Sequence, residues 1–571
     1  MSARRITRTG ALVVLAAAAL AGCRTVPGSI SEIVAPPGGH SRPIPQGVPL
    51  TRAERTNYQE TSSYADVMAF LDSLQARGAV MTRGSIGRTS EGREIPYVIA
   101  SRPLVSTPEQ ARALNRPIVY VQGNIHGGEV EGKEALQMFL RDLLLNPAPN
   151  LLDSLVIIAV PIYNADGNEK WGPQERQRGA QNGPEQVGQR PNGQGYDLNR
   201  DYIKAEAPET RASLAMFNLW DPHLFMDLHT TNGSYHGYAL TYSPSLHPAS
   251  PLGAYTSQVL LKQVRARMLE RTGFPSFDYG NFGRGALTDT VKSSWTTYDH
   301  RPRYGSNYYG LRNRVSVLSE AYSHDPLDRR VAATYAFVHE VLSWTAENAV
   351  PFLTVVRSQD VTGGTMASGE GQILGVALRA ALPDSAPSER IVFEDLVSTG
   401  DTTTRTEAGV PKGIMRTGRF RAQFMPAFTS FEATYSWDVP TAFAVPAADT
   451  AVVRMLRMHG VRVNQLTRSW TGEVYAFVID SVLPAAREFQ GHREMRLEGE
   501  RWTNRRRELP AGTFIVPGTQ PLGRLALILL DPMSDDGLVT WNFFDPLTAG
   551  SEFPVFQIRS ELPAAALTAV P

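Results

Sequence analysis

The run Pro117-Ile118-Val119-Tyr120-Val121, followed shortly by His126-Gly127-Gly128-Glu129, decides how this chain is read. The first stretch reads as a buried strand and Gly128–Leu145 as the helix after it. A strand feeding a helix is the unit of an α/β layer. The turn between them carries a histidine and a carboxylate at i, i+3. In a first helical turn that spacing puts both side chains on one face. Imidazole nitrogen and carboxylate oxygen are both zinc ligands, and a catalytic zinc takes three protein ligands and keeps one position open. A lone H-x-x-E arises by chance about once in a chain of this size, so the reading depends on what accompanies it.

Working outward, strands and helices alternate. Ser62–Arg77 has helical spacing through Tyr64, Met68, Phe70, Leu71 and Leu74. Gly84–Ser101 reads as a hairpin turning at Glu91-Gly92. Ser154–Pro161, Leu224–Leu228 and Arg314–Leu318 read as strands, and Leu214–Leu219, Ala254–Glu270 and Arg330–Asn348 as helices. This predicts an α/β fold with a mixed, mostly parallel sheet flanked by helices. Near Ala349–Pro351 the character changes to short β-like runs: Phe352–Val356, Gln372–Leu378, Ile391–Phe393, Tyr475–Ile479 and Leu525–Leu530. Thr441–Val463 reads strand, helix, strand. A separate C-terminal, mixed and β-rich region is expected over 350–571, with the α/β domain over 51–349.

Three further stretches carry chemistry. Phe225-Met226-Asp227-Leu228-His229 is an apolar strand ending in histidine, and in open α/β sheets ligands gather beyond the carboxyl ends of strands. His126, Glu129 and His229 together make a catalytic zinc set. Strand alternation turns Asp227 toward the same face as His229. Tyr196-Asp197-Leu198-Asn199-Arg200 follows the glycine-rich Gln189–Gly195 and reads as a loop. Its arginine offers a planar fork that matches a carboxylate. Val315–Glu320 is a strand ending in a carboxylate. That is unusual unless the group is functional or paired, here with Arg312 or Arg314. A zinc hydrolase needs a general base, and Glu320 suits the role.

The chain of 571 residues balances 56 Lys+Arg against 56 Asp+Glu with no dominant basic block, which argues against nucleic acid as the main partner. Arg4, Arg5 and Arg8 precede the apolar run Ala11–Leu20, the layout of a secretory signal too short for a membrane span. Leu20-Ala21-Gly22-Cys23 resembles the bacterial lipobox, and Cys23 is the single cysteine. The expectation is a lipoprotein signal over 1–23, a Pro/Gly-rich tether over 24–50, and an exported protein facing the periplasm or cell exterior on a lipid anchor. Arg501–Arg507 with Trp502 reads as a solvated turn, and Trp541–Phe544 as core packing.

In this order the signals resemble the zinc carboxypeptidase family (the carboxypeptidase A/B and D/M/N types). Glu91-Gly92-Arg93 looks like the family's E-G-R, and Asn164-Ala165-Asp166-Gly167 stands where N-P-D-G is expected. The resemblance implies one zinc per chain on His126, Glu129 and His229. It implies Glu320 as general base and acid, and Asn199 with Arg200 as the grip on a substrate's free C-terminal carboxylate. Arg190 stands at the offset of the carbonyl-polarising arginine, ahead of Arg176 and Arg178. The departures are Asp201-Tyr202 after Asn199-Arg200, and Ala321–His324 after Glu320. The substrate tyrosine is left open among Tyr298, Tyr304, Tyr308 and Tyr309. The expected activity is cleavage of the peptide bond next to a free carboxylate. The alternatives are an amidohydrolase of the aspartoacylase and succinylglutamate desuccinylase type, a hydrolase of peptidoglycan stem peptides, and a surface binding protein with a relict site.

Overall fold

The computed structural model describes residues 31–34, 39, 42–364, 375–499 and 502–570. The signal segment and Cys23 lie outside them. At the centre is an eight-stranded sheet. Its strands in chain order are β1 (Thr82–Arg88), β2 (Glu94–Ala100), β3 (Ile118–Gly123), β4 (Val156–Val160), β5 (Leu224–Thr230), β6 (Leu240–Pro244), β7 (Ser276–Asp278) and β8 (Val315–Ala321). In space they run β7-β6-β8-β5-β3-β4-β2-β1. The four central strands β8, β5, β3 and β4 are mutually parallel, and the hairpin β1–β2 joins antiparallel at one side. The expected mixed, mostly parallel sheet is therefore present.

The central strands are buried on both faces, so they read as continuous apolar runs rather than alternating ones. Val119 and Val121 pack on one face with Leu136 and Phe139 of α1 (Glu131–Leu144) and Phe337 and Val341 of α2 (Leu327–Glu347). Ile118 and Tyr120 point to the other face, where Tyr120 meets Phe217 and stacks on Phe225. That second core does not stop at the α/β layer. It runs on through Phe443, Val452, Leu525 and Trp541.

The C-terminal part is β-rich, as expected. An antiparallel seven-stranded sheet includes Ala442–Val445, Phe514–Pro517 and Thr503–Leu509, and a long hairpin pairs Ser388–Ser398 with Ile414–Phe428. Four local expectations are corrected. Phe352–Val356 lies on the helix Ala349–Gly364, with Phe352 and Val356 buried against the sheet. Leu525–Leu530 lies on the helix Gly523–Leu530, buried throughout except at Arg524. Leu525–Leu530 is buried on every side and so shows no period, and Phe352–Val356 is too short a window to show one, so strand and helix look alike in sequence. Arg505–Arg507 lie on an outer strand of the seven-stranded sheet rather than in a turn, where exposed charge protects an unpaired edge. Ser31–Val34, inside the expected tether, pairs with the hairpin strand at Phe420–Gln423. Among the described residues no helix is long and apolar enough to cross a membrane.

Candidate functional site

His126-Gly127-Gly128-Glu129 is a β-turn rather than the expected first turn of the helix. The Glu129 N–H donates to the His126 carbonyl at 3.0 Å, and α1 begins only at Glu131. A Cβ on Gly127 would fall 2.3 Å from the Gly167 carbonyl carbon, and one on Gly128 would fall 2.7 Å from the Gly188 oxygen. Only glycine permits this approach, which presses the turn onto the Asn164–Gly167 turn. Asn164 Nδ2 donates to the Ile125 carbonyl at 3.0 Å. The left-handed Asn124 donates to the carbonyls of His126, Gly127 and Glu129 from below. Asp166 in turn receives Arg93 at 2.7 Å and Thr89 at 2.7 Å, joining the E-G-R stretch to the same support.

The turn places Glu129 between two imidazoles. His126 Nδ1 lies 3.0 Å from Glu129 Oε1, and His229 Nδ1 lies 2.9 Å from Glu129 Oε2. One ligand atom from each of these three buried residues lies within 4.8 Å of the others, and no other such grouping occurs among the described residues. The far nitrogens also meet carboxylates. His126 Nε2 is 2.9 Å from Asp197 Oδ1, and His229 Nε2 is 3.0 Å from Asp227 Oδ2, the latter an ion-pair contact rather than an aligned hydrogen bond. Those acceptors call for the imidazole proton on Nε2, which leaves each Nδ1 lone pair facing a carboxylate oxygen. Acceptors this close repel unless a cation lies between them. Two neutral nitrogens and one carboxylate, each histidine steadied by a second carboxylate, fit a single zinc ion.

Nearby positive charge keeps the Glu129 carboxylate ionised. Burial would raise the Glu129 carboxyl, but His126 and Arg178 hold it well below the usual carboxylate range. Burial likewise opposes ionisation of Asp197, and His126, Arg190 and Arg200 override it. Arg178 reaches Glu129 Oε1 at 2.9 Å and donates to the Thr230 carbonyl at 3.0 Å. Arg190 donates to Asp197 Oδ2 through Nε at 2.9 Å, and its Nη1 lies 3.3 Å from His126 Nδ1.

Glu320 ends β8 directly opposite His229 in the parallel register, so the two side chains share a face. It is buried, and its Oε2 has no partner in the protein. The salt-bridge alternative fails, because Arg312 turns to Asn218 and His459, and Arg314 to Asp221 and Asp360. Burial pushes the Glu320 carboxyl up to about 8, with His229 opposing and Glu129 adding to the rise. A buried carboxylate that shares a face with a ligand and lacks a partner is placed to hold and release a proton.

Asn199 and Arg200 lie on a single 3-10 turn, Leu198–Arg200. Asn199 Oδ1 accepts from the Gly305 N–H at 2.9 Å, and the Arg200 guanidinium lies 3.8 Å from the Tyr304 ring centre. Of the four tyrosines left open, Tyr308 and Tyr309 are core residues bonded to His459 and Ser213. Tyr298 and Tyr304 remain half-exposed beside the loop.

Every site residue proposed from sequence within the described residues falls in this neighbourhood. Sequence reading missed Asn124, and it quoted Asp197 only as part of a motif without giving it a job. Nor did it find Tyr279, whose hydroxyl accepts from Asn232 and is raised by burial and by the charge of Glu320. No apolar period marks either residue: Asn124 bonds the carbonyls of the turn that follows it, and Tyr279 meets Asn232 only in the folded chain.

Residues 67–248 match the family model described as zinc carboxypeptidase, a span that holds both histidines and Glu129 but stops short of Glu320. The chain is 23% identical over 491 residues to Carboxypeptidase 2 of Trichophyton equinum, covering 83% of this chain and 82% of that one. Residues up to Gly364 make less than two thirds of this chain, so that likeness extends into the C-terminal region. Carboxypeptidase Z of Homo sapiens is 34% identical over 166 residues, 28% of this chain and 23% of its own. Among solved structures, a metallo-carboxypeptidase from Burkholderia cenocepacia aligns with a TM-score of 0.38 at 16% identity, over 51% of this chain and 70% of that one. Residues 67–248 thus match the zinc carboxypeptidase family model, and the chain is a zinc metallocarboxypeptidase.

Proposed function

We propose that His126, Glu129 and His229 hold the zinc and that Glu320 is the general base. Arg190 steadies the reacting carbonyl oxygen, and Asn199 with Arg200 grips the free carboxylate of a peptide. The observation that carries this is Glu320. It is a buried carboxylate with an unpartnered oxygen, in register with His229, on a strand beyond the family match. Zinc, when bound, supplies Lewis acidity at the open side of the cluster. Glu320 takes the proton of the attacking water and returns it to the leaving amine. Arg190 and Arg178 place two fixed positive charges where negative charge develops, in a site that needs no reorganisation. Arg178, ranked behind Arg190 from sequence, makes the shorter contact to Glu129 and shares this role. The Arg200 fork, laid flat on Tyr304, presents its donors as a rigid plane to a carboxylate.

Glu320→Gln is expected to keep zinc and fold, and to lower kcat by about 10²- to 10⁴-fold, the usual contribution of general acid–base catalysis. Retained turnover in a zinc-loaded E320Q protein sinks the assignment. Hydrolysis of N-acyl amino acids but of no peptide moves the site to amidohydrolase chemistry. The organisation proposed alongside is a lipoprotein signal over 1–23, a tether, the catalytic domain and the C-terminal region. It rests on Arg4–Cys23. Cys23→Ser is expected to abolish incorporation of a fatty-acyl probe and release the protein from membranes. Unchanged labelling removes the anchor.

A further inference from the structure

The two parts of the chain meet at the loop that carries Asn199 and Arg200. The contact is made by Asp536, which follows the helix Gly523–Leu530. Asp536 is fully buried and binds Arg303 three times. The Arg303 backbone N–H donates to Oδ2 at 2.7 Å, and Nε and Nη2 donate to Oδ1 at 3.0 and 2.8 Å. Trp541 Nε1 donates to the same Oδ1 at 3.0 Å, and the Arg303 guanidinium lies 4.6 Å from the Trp541 ring centre. Arg303 Nη1 takes Glu494 at 2.5 Å. The backbone N–H and the guanidinium of Arg303 are thus held by residues from beyond 490.

What Arg303 holds is the substrate side. Its carbonyl accepts from the Tyr202 N–H at 3.4 Å. The next residue, Tyr304, lies under the Arg200 guanidinium, and the one after, Gly305, donates to Asn199 Oδ1. A Cβ on Gly305 would fall 2.8 Å from the Tyr202 ring, so segment and loop pack without slack. At the other end of the loop, the Asp197 N–H donates to Gln490 Oε1 at 2.9 Å. Gln490 tops a two-residue hairpin turn closed by Phe489 and His492, with Gln490 at φ 52 and Gly491 at φ 83. Both central residues are left-handed, a conformation glutamine adopts only where its surroundings hold it there. His492 pins the turn to Glu206 at 2.9 Å and to Asn542 at 3.0 Å.

From these contacts we infer that Asp536 and Gln490 are positioning residues for substrate recognition. The C-terminal region clamps the Asp197–Arg200 loop at both ends, so that Asn199 and Arg200 meet a carboxylate in one fixed geometry. This rests on the assignment of Asn199 and Arg200 as the carboxylate grip. A planar fork gives its full advantage only when its position is set before the substrate arrives. Asp536 acts through Arg303, and Gln490 through the backbone of Asp197. The region is a built-in part of the site.

The test is steady-state kinetics on the zinc-loaded full chain with an N-blocked dipeptide bearing a free carboxylate and with its C-terminal amide. Asp536→Asn removes the charge and keeps the shape. It is expected to raise KM for the free acid by about 10- to 100-fold, the scale of losing an orienting contact, with kcat changed far less. It should also shrink the preference for acid over amide, a readout that general destabilisation does not move. Gln490→Ala, at a half-exposed tip, is expected to shift KM in the same direction by a smaller factor. It carries the test if the D536N protein does not fold. Arg200→Ala separates the layers. If it leaves the acid preference intact, the grip itself is misassigned. If it removes that preference while folded D536N and Q490A behave as wild type, the clamp is overturned and the grip stands.

Discussion

His229 and Glu320 stand side by side on two hydrogen-bonded strands, whereas Asn199 and Arg200 stand on one short turn between unrelated segments. The first pair is placed by the ladder. Once β5 and β8 are in parallel register, both side chains share a face at the ends where ligands bind. The second pair has no ladder. Its position is set by Gly305, Tyr304 and Asp197, and these are held by Asp536 and Gln490 from a region far along the chain. The proposed roles therefore divide the same way, chemistry on the α/β layer and recognition at the junction of the two parts. Damage to the strand ends should strike turnover and metal, and damage to the junction should strike affinity.

The largest effect expected along this divide is from His229→Ala. It removes one of three ligands and leaves Glu129 facing a gap, so zinc and activity should be lost together. The stabilisation that zinc gives wild type, about 4 kcal/mol at a thousandfold excess over Kd, should also vanish. Metal analysis and melting with and without chelator read both. A variant that keeps stoichiometric zinc breaks the ligand assignment. E320Q comes next, since it keeps the metal and loses the proton carrier, and D536N follows on the recognition side.

The smallest effect is a pH dependence at the clamp. The Glu206 hydrogen bond raises His492 above its ordinary value, with burial opposing. Burial would raise Glu206, but His492 and Lys204 hold it at about 2. For the raised histidine, the contribution is full below the ordinary histidine value of about 6.5 and is lost as pH rises through the folded value. For the depressed glutamate, it is full above the ordinary carboxylate value and is lost only in strong acid. The melting difference between wild type and His492→Gln should therefore be greatest below the ordinary histidine value of about 6.5 and close as pH rises through the raised folded value. A difference that grows with pH reverses the sign and removes the ion pair from the account.

Much of this site was legible in the sequence because its parts are local. H-x-x-E, the strand-end histidine and the strand-end glutamate each need only a strand that stops where the chemistry starts. The alternation along Phe225–His229 even placed Asp227 on the correct face. Legibility failed where local period vanishes. Phe352–Val356 and Leu525–Leu530 are helical, yet both read as strands: Leu525–Leu530 is buried on every side and shows no polar face, and Phe352–Val356 is too short a window to show the helical period. It failed again at the turn. His126 and Glu129 converge as expected, but through a glycine β-turn pressed on Gly167, a contact invisible without the neighbour.

The sequence by itself determined the residue types, their order and the strand ends beyond which His126, Glu129, His229 and Glu320 fall, since ligands gather at the carboxyl ends of parallel strands. Only the tertiary structure decided that Asp197 lies against His126, that Arg178 reaches Glu129, that Asp536 holds Arg303 and that Gln490 holds the Asp197 backbone. Those contacts join residues up to 293 positions apart. Spacing along a chain encodes neighbours within an element, and it says nothing about which distant elements a shared core will press together.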